Sequence, residues 1–188
     1  AHMATVPTCG TTLPLANNAP QAAAGASHII PANTPFVLKG AGADLDTDPL
    51  TYTWEQIDLG NPSSSALDMI DDGSRPLFRF VSPTSSPERI LPSLPSLLSG
   101  SLAKGEAWPT TNRSLNFRLT VRDGKGGVAS DDMKVQVVNT GSAFRLTSPL
   151  GVMVTPGASQ AVGWDVAGTS AAPINCSKVD LLVTQDEG

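Results

Sequence analysis

The sequence has 188 residues, a formal net charge of −5, 40% hydrophobic residues and 15% charged residues. The hydrophobic share allows a real core and argues against wholesale disorder. The acidic balance, without a basic stripe interleaved with aromatic residues, argues against nucleic acid and leaves metal cations or neutral partners. No stretch approaches the roughly 18 apolar residues of a membrane helix, so no membrane span is expected. The 17 glycines and 16 prolines favour short segments and frequent turns.

The first segment is set aside from fold reasoning. Ala1-His2-Met3 is typical of a vector remnant ahead of a cloned fragment, and residues 1–16 are predicted to be tag remnant and linker. The absence of a signal peptide from such a fragment is uninformative. Cysteines occur only at Cys9 and Cys176. One disulfide, two free thiols, or a bond to a partner outside the fragment all remain open.

Residues 17–139 are predicted to form one β-sandwich. The first strand candidate lies between Pro31 and Lys39, and it places Phe36 and Leu38 on one face. The second, from Leu50 to Ile57, alternates in the same way and follows directly after an acidic turn. Alternation of this kind is typical of strands with one buried face.

The acidic turn has aspartates at every second position: Asp44, Asp46 and Asp48. Crowded carboxylates repel one another unless a cation or solvent relieves them, and calcium binds about six to eight carboxylate and carbonyl oxygens. An EF-hand is excluded, because Pro49 stands where that loop requires glycine and a strand pattern follows. The turn is therefore either a calcium site or a set of solvated turn residues.

From Asp58 to Arg113 the pattern is irregular, and we expect an insertion packed over one end of the sandwich. Leu77 to Val81 predicts a short strand, and the leucines around Pro95 predict one or two helical turns. Asp71-Asp72-Gly73 is more typical of a turn than of a second metal site. Trp108 either covers the end of the sandwich or lies exposed, where it could stack on sugar or anchor a peptide.

The clearest strand pattern is at residues 115–121, where apolar and polar side chains alternate without a break. The segment from Asp123 to Gly127 predicts a tight turn, since glycine accepts the positive φ that such turns need. Residues 133–137 alternate in the same way. Together these segments predict a β-hairpin.

Residues 140–188 are predicted to begin a second immunoglobulin-like module that is truncated. Small polar residues from Asn139 to Ser142 mark the boundary, and strand patterns then restart, ending with Val179 to Val183. So small a unit has little core of its own, and either the first domain or another chain is expected to complete it. Trp54 and Trp164 are predicted to be core residues, one in each module.

Two blocks carry a resemblance to a known family: DLDTDPLTYTW, from Asp44 to Trp54, and LNFRLTVRDGKGGVASDDMKVQV, from Leu115 to Val137. They resemble the PKD and cadherin-like branch of immunoglobulin-like domains, in which an acidic turn precedes a strand with a buried tryptophan. Further blocks are IPANTPFVLKG, RPLFRFVSPTSSPER and FRLTSPLGVMVTPGASQAVGWDV. In this order, they are similar to the region that follows the catalytic domain in secreted bacterial reprolysin-like zinc metallopeptidases.

The resemblance has consequences for metals and activity. Its cadherin-like part implies that the calcium site takes a further carboxylate from Asp123, with Asp131 and Asp132 as additional ligands. The activity of the metallopeptidases depends on an HExxH helix that holds zinc and positions the general base. The only histidines here are His2 and His28, so no zinc is expected in this fragment and it cannot itself be the peptidase.

The sequence thus predicts an all-β chain with a PKD/cadherin-like immunoglobulin-like sandwich, an insertion and a partial second module. The predicted function is that of a non-catalytic spacer or substrate-presenting region of a secreted bacterial metallopeptidase, with calcium as the only expected cofactor. Its expected partner is the upstream catalytic domain of the same chain, at an extracellular or cell-surface location. The alternative is an independent extracellular binding module for protein or polysaccharide.

Overall fold

The computed structural model describes residues 16–63, 65, 69–151, 153, 155 and 157–182. Short strands dominate this part of the chain, together with one six-residue helix. In chain order the elements are β1 Gln21–Ala23, β2 His28–Pro31, β3 Phe36–Lys39, β4 Ala41–Ala43, β5 Thr51–Gln56, β6 Glu88–Leu91, α1 Leu94–Ser99, β7 Arg113–Arg122, β8 Val128–Val138, β9 Arg145–Ser148 and β10 Gly163–Asp165.

The first layer is a four-stranded sheet in the order β2-β8-β7-β5. β7 and β8 form the predicted antiparallel hairpin, in which Phe117 lies opposite Met133. β5 pairs antiparallel with the other edge of β7, so that Trp54 lies opposite Leu119. β2 pairs with β8 in the parallel direction. The alternating residues of β7 all bury their apolar side chains on one face, as their spacing predicts.

The second layer is built on β3 and β4, which are separated only by Gly40. β3 pairs with β6 and β4 pairs with β1, all antiparallel. The N–H of Gly40 donates to the carbonyl of Pro87 at 3.1 Å. A Cβ at position 40 would lie 2.5 Å from Cδ2 of Leu119 and 3.1 Å from the ring of Trp54. Glycine is therefore required here because the two layers approach each other closely.

The core lies between these layers. Phe36 from β3, Phe117 from β7 and Phe78 from the insertion form an aromatic cluster with ring centroids 5.8 to 6.4 Å apart. Trp54 is 2% exposed, and its ring N–H donates to the carbonyl of Pro87 at 2.9 Å, so its predicted place in the core is confirmed.

The path of the first strands defines the fold class. β1 lies at the edge of the second layer, and β2, which follows it closely, crosses to the edge of the first. β3–β4, β5, β6, β7 and β8 complete two facing sheets around one core. This arrangement is an immunoglobulin-like β-sandwich, and the predicted all-β class is confirmed.

The strand predicted from Leu77 to Val81 is wrong. Leu77 and Phe78 are buried, but Phe80 and Val81 are exposed, and Phe78 makes only an isolated bridge to Glu106. The side chain of Gln56 explains the difference. Its Oε1 accepts the backbone N–H groups of Leu77 and Phe78 at 2.7 and 3.1 Å, so a side chain satisfies donors that a partner strand would otherwise take.

The helix predicted around Pro95 is present as α1. Pro95 lies in its first turn, where a missing N–H costs little, and Gly100 ends it in the left-handed conformation with φ 70°. Glu106 is buried and holds the start of α1 in place. Its carboxylate accepts hydrogen bonds from the backbone N–H of Ser93 and from the hydroxyl of Ser96.

Beyond Val138 the described chain forms one small antiparallel pair, β9 with β10. Trp164, on β10, is 38% exposed, so the prediction that it is a core residue is wrong. A two-stranded pair has no second layer to cover the ring. Val179 and Leu181 lie outside any strand and are exposed, while Val183 lies outside the described residues. The module boundary after residue 139 stays a prediction.

Two further features concern the whole described part of the chain. Cys176 is a free, exposed thiol, and Cys9 lies outside the described residues. In the described ranges no helix has the length and apolar character that would carry it across a bilayer.

Candidate metal site

The acidic turn connects β4 to β5 and brings its three aspartates together. Asp44, Asp46 and Asp48 each offer one carboxylate oxygen, and these oxygens lie within 4.8 Å of one another. Thr47 has a positive φ of 61°, and its N–H donates to the carbonyl of Asp44 at 3.4 Å. This tight turn makes the alternate side chains converge, as their spacing predicts.

Asp44 organises the turn with one oxygen and leaves the other unsatisfied. Its Oδ1 accepts the backbone N–H groups of Asp46 at 2.8 Å and Asp48 at 3.3 Å. Its Oδ2 is buried and accepts no hydrogen bond from the described residues. A buried carboxylate oxygen without a donor is costly, and a bound cation removes that cost. The donor set, three carboxylates around a turn, fits calcium.

The segment that leads into the sandwich contacts this turn. Asn18 donates to Asp46 twice, from its backbone N–H at 2.7 Å and from its side-chain amide at 3.0 Å. Asn17 donates from its amide to Oδ2 of Asp123 at 2.7 Å. These two asparagines therefore connect the acidic turn to the end of β7. The carbonyl oxygens of asparagine side chains are also of the type that calcium accepts.

Asp123 does not join the group of three aspartates. Its Oδ1 accepts the backbone N–H groups of Lys125 at 2.7 Å and Gly127 at 2.9 Å, and so closes the β7–β8 turn. The hydrogen bond from Asn17 lowers the pKa of Asp123, and these backbone donors lower it further, against the effect of burial. The carboxylate is thus held ionised and already coordinated by the protein. Its role as a calcium ligand stays a prediction.

Asp131 and Asp132, the additional calcium ligands that the resemblance implies, make other contacts. Asp131 accepts the backbone N–H of Ala24 at 2.8 Å, which fastens β1 to β8. Asp132 forms an exposed ion pair with Arg118 at 2.7 Å across the β7–β8 hairpin. Both carboxylates therefore stabilise strand pairing in this structure.

A second carboxylate, Asp71, has a structural role that the sequence did not reveal. Its side chain is fully buried and pairs with Arg113 at 2.8 Å. It also accepts the backbone N–H groups of Thr110 at 2.8 Å and Thr111 at 2.9 Å. The prediction of a turn at residues 71–73 is consistent with the bond from the N–H of Gly73 at 2.9 Å. Arg113 is 42 residues away, so no local pattern could indicate the pair.

Trp108, in the insertion, is half-buried. It lines a cleft of about 400 Å³ together with Leu97, Leu102 and Arg145. Trp108 is therefore neither fully buried nor fully exposed, and both alternatives for its role stay predictions.

The sequence matches no protein-family model and no curated protein. Solved structures that are similar to it in part include the following two. Drosophila N-cadherin EC1-4 is 15% identical with a TM-score of 0.37, over 71% of this chain and 28% of that chain. A Bacteroides fragilis NCTC 9343 protein, provisionally assigned as an alpha-galactosidase, is 10% identical with a TM-score of 0.35, over 68% of this chain and 19% of that chain. The chain spans less than a third of either structure.

Proposed function

We propose that this chain is a non-catalytic, calcium-stabilised region of a secreted bacterial metallopeptidase, where it serves as a spacer or presents substrate to the catalytic domain. The observation that carries the calcium proposal is the buried Oδ2 of Asp44, which has no hydrogen-bond donor among the described residues. Asp46 and Asp48 converge on the same place. A divalent cation there would offset two of the three negative charges that the protein itself leaves crowded.

Calcium, when bound, supplies positive charge and flexible oxygen coordination. Asp44, Asp46 and Asp48 would hold it, and Asn18 would keep Asp46 oriented through its two hydrogen bonds. The connection between β4 and β5 would become rigid, because its carboxylates could no longer move apart. A spacer that is exposed to its own protease benefits from such rigidity, since cleavage requires local opening of the chain.

The association with a metallopeptidase is supported by the ordered sequence blocks that resemble the region after the catalytic domain of that family. The natural gene tests the association directly. An HExxH motif upstream supports it, and an unrelated upstream domain, such as a glycosidase, overturns it.

Calcium is expected to raise the melting temperature of the chain. At a free concentration about 100 times the dissociation constant, the stabilisation would be about 2.7 kcal/mol, which corresponds to a rise of several degrees. Asp48→Asn should abolish most of that rise, because it removes one of the three converging carboxylates. The hydrogen bond that joins Asp48 to Asp44 is donated by the backbone N–H, so the substitution leaves its donor in place. Differential scanning calorimetry with calcium and with chelator measures both effects.

Glu55→Gln provides the matched control, because it removes one acidic charge from β5, outside the aspartate group. This variant should keep the full response to calcium. Equal melting temperatures in calcium and chelator for the unaltered chain would exclude the calcium proposal, and an undiminished response in Asp48→Asn would place the ion elsewhere.

The Trp108 cleft favours a second function, recognition of protein or polysaccharide by this chain alone. Half-buried tryptophan beside Leu97, Leu102 and Arg145 offers a flat apolar surface with one cation at its edge. Trp108→Ala should then abolish binding in a glycan array or a pull-down with collagen-like protein. Trp164→Ala is the control, since Trp164 is 38% exposed on β10 and lines no part of this cleft. If both variants bind as well as the unaltered chain, the cleft has no such role.

A further inference from the structure

A lysine lies beside the candidate calcium site. Lys125 is exposed in the turn between β7 and β8, where its backbone N–H donates to Oδ1 of Asp123 at 2.7 Å. It lines one cleft of about 380 Å³ together with Asn17, Asp46 and Asp48. The hairpin turn therefore places a lysine in the same cleft as two of the three aspartates.

The ammonium group of Lys125 is not committed to any carboxylate. Within the described part of the chain, ion pairs at or below 4.0 Å join Lys39 to Glu88 and three arginines to aspartates, but none includes Lys125. Lysine has a long, flexible stem and a strongly hydrated charge. Its ammonium can consequently move within the cleft and lower the negative potential of the aspartates without forming a fixed bond.

We propose that Lys125 is a built-in competitor of the cation, which sets the affinity of the aspartate site for calcium. The inference rests on the calcium proposal and adds a residue that opposes binding. A nearby unit positive charge repels a divalent cation twice as strongly as a monovalent one. Lys125 thus weakens calcium binding and leaves the site responsive only where calcium is abundant, as in extracellular fluid.

Calorimetric titration of calcium into the 188-residue chain tests the role of Lys125. Lys125→Met removes the charge and keeps most of the stem, and we expect calcium to bind about three- to tenfold more tightly at low salt, from the Coulomb repulsion that is lost. The gain should shrink at high salt, because ions screen the repulsion between exposed charges. Lys125→Arg keeps the charge and should bind like the unaltered chain.

Lys134→Met is the matched control, since Lys134 is exposed on β8 and does not line the cleft. It should change the affinity by less than about twofold, the effect expected of a distant surface charge. The outcomes separate the two proposals. Calcium binding by the unaltered chain with no gain in Lys125→Met overturns the role of Lys125 alone. No calcium binding by any of the four proteins overturns the calcium site and this inference together.

Discussion

Asp71→Asn is expected to lower the free energy of unfolding by about 3 kcal/mol, the effect of removing one partner from a buried ion pair. Asp71 and Arg113 are 0% and 5% exposed and lie 2.8 Å apart, so the substitution leaves a buried guanidinium without its counter-charge. Nε of Arg113 already has no hydrogen-bond partner among the described residues. The guanidinium therefore has little to compensate for the loss of the Asp71 carboxylate. Urea unfolding followed by tryptophan fluorescence measures the change in stability.

The exposed pair of Arg118 and Asp132 provides a control with similar geometry. The two side chains are 45% and 48% exposed and lie 2.7 Å apart. Solvent screens such pairs, and Asp132→Asn should cost at most about 1 kcal/mol. If both substitutions destabilise the chain equally, burial of the Asp71 pair does not determine its contribution.

Asp71 should also make the stability of the chain sensitive to acid. Burial raises the pKa of Asp71, but the N–H of Thr111 and the guanidinium of Arg113 outweigh it, and the net pKa lies below the usual value. The unfolded chain, with an aspartate pKa of about 3.9, therefore takes up the proton first on acidification. The stabilisation is complete above about pH 5 and is lost as the pH falls through the lowered pKa. Asp71→Asn should flatten this part of the stability profile.

Phe78→Ala is expected to destabilise the chain by about 3–5 kcal/mol, as is typical when a buried aromatic side chain is removed from a core. Phe78 is 2% exposed and packs against Phe36 and Phe117 with ring centroids 5.8 and 6.4 Å away. It comes from the insertion, so the substitution also loosens the insertion from both layers. Chemical unfolding reports the stability, and hydrogen exchange locates the loss.

Phe80→Ala makes the identical change two residues later. Phe80 is 58% exposed, and removal of its ring should alter the stability by less than about 0.5 kcal/mol. The comparison separates core packing from any general effect of aromatic residues in the insertion. A large loss in Phe80→Ala would show that this ring is covered in solution.

The spacing of apolar and polar residues correctly predicted the elements that depend only on residues close together in the chain. The β7–β8 hairpin follows from unbroken alternation and a glycine-rich turn, and β5 follows from the alternation after the acidic turn. The convergence of Asp44, Asp46 and Asp48 also follows from their spacing within one turn. These features need no information about distant parts of the chain.

The sequence-based predictions failed where contacts between residues far apart in sequence determine the structure. The segment at Leu77 resembles a strand, but Gln56, 21 residues away, satisfies its N–H groups instead. The Asp71–Arg113 pair and the bonds of Asn17 and Asn18 to the site likewise join segments that are far apart in sequence. Trp164 has the alternation of a core position, yet burial requires a covering layer, which a sequence pattern does not contain.

The parallel pairing of β2 with β8 has a mechanical consequence. Asn17 lies beside Asp123 at one end of β7, while Asn139 bonds to Asn112 at the other end, so the chain enters and leaves at opposite ends of the sandwich. Tension between these points pulls β2 and β8 in opposite directions along their length. Their hydrogen bonds would then carry the load together, in shear, rather than break one at a time. A sandwich built in this way is expected to resist stretching between its two ends.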